Sequence, residues 1–318
     1  MRYRRLGRTE LQVSEVGFGA WAIGGGKHGH SYGPTDDAES LRAIKRAFEL
    51  GCTFFDTADI YGHGLSEKLL SQALHPHRHD CVIATKVGND FYHGPVRKNF
   101  DPDYIRFALE KSLKRLRMDY LDVYLLHNPP LMMVERSEHY SIMEDLKAEG
   151  KIRYYGVSVH DAYEGMKAIE TGKPDVVEIA HNLLRQDAQE ELFPFAQEHD
   201  IGMIAREPLA SGMLTGKYST VSTFTEGDMR AEWPPEYVAF QTQLVEKLEF
   251  LSVEGQRTLT QAALRFVLDE AAVSVVIPGI KTVAHADENI ATTDLDALTD
   301  AERKAIGDIV ESAMDDFF

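Results

Sequence analysis

The chain has 318 residues, 43% hydrophobic and 27% charged, a composition that excludes disordered, collagen-like and low-complexity classes and supplies a sizeable core. Lys and Arg total 34 against 51 Asp and Glu, and the formal charge of −17 repels phosphate backbones and anionic lipid, so neither nucleic acid nor a membrane is expected as partner. The 2 cysteines, Cys52 and Cys81, are too few for a disulfide-stapled secreted domain and read as buried free thiols; with no signal-peptide core and nothing near the roughly 20 apolar residues of a membrane span, a soluble cytoplasmic protein is expected.

Residues 2–13 alternate weakly around Gly7-Arg8-Thr9 and predict a β-hairpin ahead of the main fold. VGFGAW (16–21) is a glycine-interrupted strand, suited either to tight packing or to close approach of a ligand. After a loop of Gly, His and Ser, Asp36 and Asp37 supply the N-terminal acids of a helix that is apolar at Leu41, Ile44 and Phe48 and stops at Gly51. TFFDT (53–57) predicts a strand closing on Asp56, followed by a helix over 65–74 with Ser66 as its cap. CVIATK (81–86) closes on Lys86, and beyond a long loop Asp101 caps and Pro102 opens the next helix. Its basic run 111–117 carries Leu113 and Leu116 at helical spacing and reads as a solvated face. LDVYLLH (121–127) closes on His127 and precedes a helix around 139–150. The alternation continues with strands at 152–159, 175–180, 202–207 and 273–279, helices between them, and a last polar helix at about 300–315.

Counting the glycine-rich opening strand, this makes eight β/α alternations without a linker. The expected architecture is α/β, a closed (β/α)8 TIM barrel of parallel strands over residues 1–318 as one domain, decorated by the N-terminal hairpin and the C-terminal helix. An open doubly wound sheet is the alternative. Its G-x-G-x-x-G turn is missing, because Gly17 and Gly19 lie inside the strand and no third glycine follows.

In such a barrel the strand ends form one rim, so Asp56, Lys86 and His127 converge there with Tyr61, which lies in a glycine-flanked loop five residues past Asp56. A phenol with a pKa near ~10 is a poor acid at neutral pH unless a neighbouring ammonium stabilises its phenolate, the role open to Lys86. Asp56 would hold that ammonium in place, and His127 would orient a substrate oxygen. The set contains a proton donor and no nucleophile. A carbonyl protonated at oxygen must then gain something at carbon, and hydride from a nicotinamide is the simplest partner. Trp21 is a candidate wall of the substrate pocket, with Tyr61 and His127, and Tyr92 reads as either wall or core. His28, His30, His63, His75, His77, His79 and His93 lack ligand spacing and read as surface residues, so no metal is expected.

These residues resemble the aldo-keto reductases almost end to end. The similarity is carried by VGFGAW at 16–21, FDTADIYGHGLSE at 55–67, ATKVG at 84–88, SLKRLRMDYLDVYLLH at 112–127, LKAEGKIRYYGVS at 146–158, PLASGMLTGKY at 208–218 and IPGIKTVAHADEN at 277–289. The resemblance implies a barrel binding extended NADPH, with Asp56, Tyr61, Lys86 and His127 as catalytic tetrad and a small aldehyde or ketone as substrate. It further implies that Ser158 holds the nicotinamide carboxamide. Pro208, Leu209, Gly212 and Lys217 would belong to a strap over the pyrophosphate, and Gly279, Lys281, His285, Glu288 and Asn289 to the adenosine end, where Lys281 favours NADPH over NADH. Glu178, Val159 and Arg206 stand where the family usually has Gln, Asn and an aromatic residue. Glu178 can still accept from the carboxamide and Arg206 can still stack on the ring, or the two can pair with each other.

Three rivals from other classes have distinct signatures. A metal-dependent barrel hydrolase wants an alternating His pair on the first strand, where 16–21 has none. A Schiff-base aldolase would use Lys86 as nucleophile and be trapped by borohydride. An NADPH-binding regulatory or redox-sensing subunit with weak reductase activity would dock to a membrane protein. A free enzyme, monomer or homo-oligomer, is the expectation.

Overall fold

The computed structural model describes residues 1–28 and 31–317, so His30 lies outside the described residues. Eight parallel strands run in chain order around the molecule: β1 (Phe18–Gly19), β2 (Phe54–Asp56), β3 (Val82–Val87), β4 (Leu121–His127), β5 (Ile152–Ser158), β6 (Val176–Ala180), β7 (Gly202–Arg206) and β8 (Val273–Val276). The first and last strands meet. Gly17 N–H donates to the Val276 carbonyl at 2.8 Å, Gly19 N–H to Pro278 at 2.9 Å, and Val276 N–H to Glu15 at 2.9 Å, which closes the (β/α)8 barrel. The opening glycines thus serve the seam, and Gly19 also faces the central cavity.

Two apolar layers follow from strand periodicity. Phe54, Val82, Ala84, Val123, Leu125, Val176, Ile204 and Val275 point inward, and the hairpin (Tyr3–Arg5 paired with Gln12–Ser14) plugs this inner core with Leu6, Leu11 and Val13. The alternate residues, among them Phe55, Ile83, Tyr124, Leu126 and Val177, pack outward against the helices. Strands buried on both faces therefore read as continuous apolar runs. The inward rows change character at the top of the barrel. Two residues beyond Phe54, Ala84, Leu125, Val176 and Ile204, the same rows present Asp56, Lys86, His127, Glu178 and Arg206.

Some local expectations are corrected. Helix α1 (Asp37–Glu49) is capped by the Asp36 carboxylate as anticipated, but α2 (Leu65–Leu74) begins after Gly64 without a side-chain cap. The Ser66 hydroxyl donates instead to the Ala20 carbonyl at 3.0 Å and contacts Thr57 Oγ1 at 2.8 Å, tying α2 to the barrel rim. Helix α3 (Pro102–Leu116) opens on Pro102 as expected, but Asp101 before it makes no side-chain capping hydrogen bond, and the basic run is not wholly solvated. Arg115 is half-buried against the fully buried Glu67 of α2, because a carboxylate placed in the helical layer requires a counter-ion. The helix expected at 139–150 is α-helical only over Ser141–Ala148, behind a 3-10 turn at Ser137–Tyr140. Cys52 and Cys81 are buried and free. Among the described residues no helix is long and apolar enough to cross a membrane.

Candidate active site

A cavity of about 690 Å3 opens at the carboxyl ends of the strands. Asp56, Tyr61 and His127 line it, and Lys86 lies just beneath, fully buried. The Lys86 ammonium donates to both carboxylate oxygens of Asp56 at 2.6 Å and to the Thr57 carbonyl at 3.1 Å. Its Nζ stands 5.4 Å from the centre of the Tyr61 ring. Tyr61 is held between Trp21, stacked at 5.8 Å, and His127, edge-on at 5.9 Å. Gly62 makes this placement possible. Its φ is +59°, and a Cβ there would lie 1.9 Å from the Gly24 carbonyl oxygen, so only glycine lets the Tyr61 loop rest on the glycine-rich loop after β1.

Burial works to discharge Lys86, but the Asp56 and Glu178 carboxylates outweigh it and hold its ammonium above the ordinary range. Burial likewise raises the Tyr61 phenol; Lys86 pulls it down, while Asp56 and Glu178 push it up. Asp56 is raised by burial against the pull of Lys86. The ammonium therefore stays charged. His127 is driven well below its usual range by burial first, then by Lys86 and Lys98, and is neutral.

Asn89 was not singled out in the sequence. Its Nδ2 stands 3.1 Å from His127 Nδ1. An amide nitrogen only donates, so Nδ1 accepts and the ring proton sits on Nε2. The β4 end is further pinned by Lys98, which donates to the His127 carbonyl at 2.8 Å. His28 and His63, read from the sequence as surface residues, come together in the cavity wall with their rings stacked at 3.9 Å, a pairing their separate loops do not announce. Tyr92 is not among the residues lining the cavity; its hydroxyl accepts from Arg115 at 2.6 Å, and its ring stacks on Phe91 and meets Phe107 edge-on.

The residues aligned with cofactor contacts divide in two. Glu178, Arg206, Pro208, Leu209, Gly212, Lys217, Gly279, Lys281, His285, Glu288 and Asn289 all line the cavity. Ser158 lies behind them, its hydroxyl donated to Glu178 Oε1 at 2.9 Å. Arg206 is engaged mainly by Glu207 and by the Val159 carbonyl at 3.1 Å, with its Nε 4.0 Å from Glu178. Glu178 instead pairs with Lys86 at 3.2 Å.

The cavity fits a nicotinamide dinucleotide. The Asn289 Nδ2 and Arg206 Nε atoms in its wall are buried without hydrogen-bond partners, donors awaiting acceptors. In the turn Ala210–Thr215, Ser211 (φ 56°) and Gly212 (φ 91°) adopt left-handed backbone, the kind of turn whose amides cradle phosphate. Lys281, Arg230, Lys217 and His285 gather at the far end, and the Lys281 ammonium donates to the Tyr32 carbonyl.

A closed barrel with buried proton-transfer groups at its mouth and an elongated cleft for a dinucleotide defines a nicotinamide-dependent carbonyl oxidoreductase. The chain belongs to the Aldo/keto reductase family, whose model matches residues 15–311. Among its relatives is the "Uncharacterized oxidoreductase YqkF" of Bacillus subtilis (strain 168), 33% identical, with 96% of this chain and 95% of that protein covered. The "NADH-specific methylglyoxal reductase" of Escherichia coli (strain K12) is 28% identical over 96% of this chain and 98% of its own length. Among solved structures, the glycerol dehydrogenase AKR11B4 from Gluconobacter oxydans superposes with a TM-score of 0.81 at 28% identity, covering 98% of this chain and 95% of that one.

Proposed function

We propose that the whole chain, 1–318, works as one domain and reduces small aldehydes or ketones with NADPH in the cytoplasm, Tyr61 acting as general acid. The observation that carries this reading is the contact chain Asp56–Lys86–Tyr61–His127 at one end of the barrel, buried at Asp56 and Lys86 and open to the cavity at Tyr61 and His127. When bound, NADPH supplies the hydride that attacks the carbonyl carbon. The remaining work belongs to the side chains. His127 Nε2–H orients the carbonyl oxygen between itself and the Tyr61 hydroxyl, and Tyr61 releases its proton to that oxygen as alkoxide charge develops. Lys86 stabilises the phenolate left behind, and Asp56 keeps the ammonium in position. Trp21, stacked on Tyr61, walls the site and limits water.

For the cofactor, Glu178 and Arg206 would border the nicotinamide and Ser158 would brace Glu178. Pro208, Leu209, Gly212 and Lys217 would follow the pyrophosphate, and Gly279, Lys281, His285, Glu288 and Asn289 the adenosine. A 2′-phosphate is favoured by charge. Lys281 is lowered by burial and then by Arg230, and His285 by burial and then by Lys217, so the cluster repels its own protons and a phosphate would relieve it. The names of the relatives, a methylglyoxal reductase and a glycerol dehydrogenase, support small oxygenated substrates.

The test is Tyr61→Phe assayed at the nicotinamide absorbance band against a panel of aldehydes, ketones and sugars. Turnover is expected to fall at least about 1,000-fold while NADPH binding by fluorescence changes less than about threefold, since only the proton donor is lost. Retained turnover would overturn the assignment. The same titration with NADH reads the phosphate preference.

A further inference from the structure

Asp56 alone suffices as counter-ion for Lys86: both its oxygens and the Thr57 carbonyl already accept from the ammonium, at 2.6, 2.6 and 3.1 Å. The barrel nevertheless places a second carboxylate on the same nitrogen. Glu178 Oε2 lies 3.2 Å from Lys86 Nζ and has no hydrogen-bond partner, so its effect on the ammonium is electrostatic. Glu178 Oε1 is fixed by the Ser158 hydroxyl at 2.9 Å, which prevents the side chain from swinging away. Lys86, Asp56 and Glu178 are 0%, 2% and 1% exposed, so water does little to screen them.

The other groups facing Glu178 do not cancel it. Ser158 on β5 is neutral, and His127 on β4 is a neutral ring donating from Nε2. Arg206 on β7 is the nearest further cation, but its Nε is 4.0 Å away and its guanidinium is engaged by Glu207 and the Val159 carbonyl. Two carboxyl groups, Asp56 and Glu178, therefore share the single ammonium of Lys86 beneath Tyr61.

We propose that Glu178 is a positioning residue for the general acid: as a second carboxylate on Lys86 it offsets the ammonium's field at the Tyr61 hydroxyl and sets the alkaline limit of proton donation. The proposal rests on the reading of Tyr61 as the acid. A weaker ammonium field leaves the phenol holding its proton to higher pH, which keeps the site in its reductive form. Replacing the carboxylate by an isosteric amide restores the full field, so the phenol ionises earlier and the reduction fails at lower pH.

The experiment is the pH profile of kcat/KM for carbonyl reduction in the wild type, Glu178→Gln and Glu178→Asp, using the aldehyde turned over fastest in the panel above. NADPH fluorescence titration of each variant checks folding and binding. In E178Q the alkaline limb is expected to move down by about one pH unit, tenfold in proton affinity. In E178D, whose carboxylate is drawn back by about 1.5 Å, it moves the same way by a smaller step. If E178Q does not fold, the E178D displacement decides. A limb in the same place in all three proteins, whatever happens to kcat or to NADPH affinity, overturns the proposal. An active Tyr61→Phe variant would instead remove the reading on which it stands.

Discussion

His127 can hydrogen-bond a carbonyl oxygen only while its proton is on Nε2, and the residue that enforces this is Asn89. Removing the amide in Asn89→Ala frees the ring to exchange tautomers, and kcat is expected to fall about tenfold, the loss of one hydrogen bond's worth of orientation. Asn89→Asp should cost more, because a carboxylate accepts from Nδ1–H and leaves Nε2 bare. Steady-state kinetics on the two variants, with NADPH affinity as control, reads this ordering; equal losses would show that the tautomer is not what Asn89 controls. The four reactive groups were legible in the sequence because each ends, or closely follows, a strand, and packing has no use for Asp, Tyr, Lys and His at such points. Asn89 was not legible, since it lies in a short strand after β3 and acquires its role only from the distance to the end of β4.

At the scale of elements, the decisive pattern is the period of two along each strand. Phe54 and Asp56, Ala84 and Lys86, Val176 and Glu178 share a face, so the last apolar residue of each of these inward rows sets the aim of the polar one above it. The spacing between neighbouring strands is set just as tightly. At Gly156 of β5 an added Cβ would lie 1.9 Å from the Val176 carbonyl oxygen and 3.0 Å from Leu125 Cδ2, a collision with backbone that no rotamer relieves. Gly156→Ala must push β6 away, and destabilisation of about 3 kcal/mol or more is expected, read as a shift of the urea or thermal midpoint. Since Ser158 and Glu178 lie two residues further along these strands, cofactor binding should weaken as well. An unchanged midpoint would mean that the two strands separate freely, contrary to this packing. Helix boundaries were less legible than strands. Ser66 has the composition of a cap, yet its hydroxyl is drawn to the Ala20 carbonyl, a partner 46 residues away in the chain.

On the scale of the whole molecule, the barrel holds ionisable groups in forms that acid would change. His181, just past β6, is 0% exposed, has neither ring nitrogen hydrogen-bonded, and packs between Phe193 and Phe266. Burial, its largest influence, lowers its pKa from 6.5 to about 4. Between these values the unfolded chain binds a proton that the folded one refuses, so stability is intact above pH 6.5 and falls as pH drops towards 4. This group alone accounts for about 2 kcal/mol at pH 5. His127, half-buried and also held well below its usual range, acts in the same direction. His181→Phe should melt near the wild type at pH 7.5 and lose less on acidification to pH 5. Parallel acid losses in the two proteins would place the sensitivity elsewhere.

What the sequence determined by itself was the alternation of strands and helices, hence the barrel, and the polar strand ends, hence the reactive rim. Both depend on local periodicity and on residue types that a core would otherwise reject. The tertiary structure alone decided how charges are shared among those residues. Glu178 is distant in the chain from both Lys86 and Arg206, and nothing in the local pattern chooses between them. Barrel curvature chooses: β3 and β6 face each other across the inner core, bringing Glu178 to Lys86, while Arg206 is claimed by its own neighbour, Glu207.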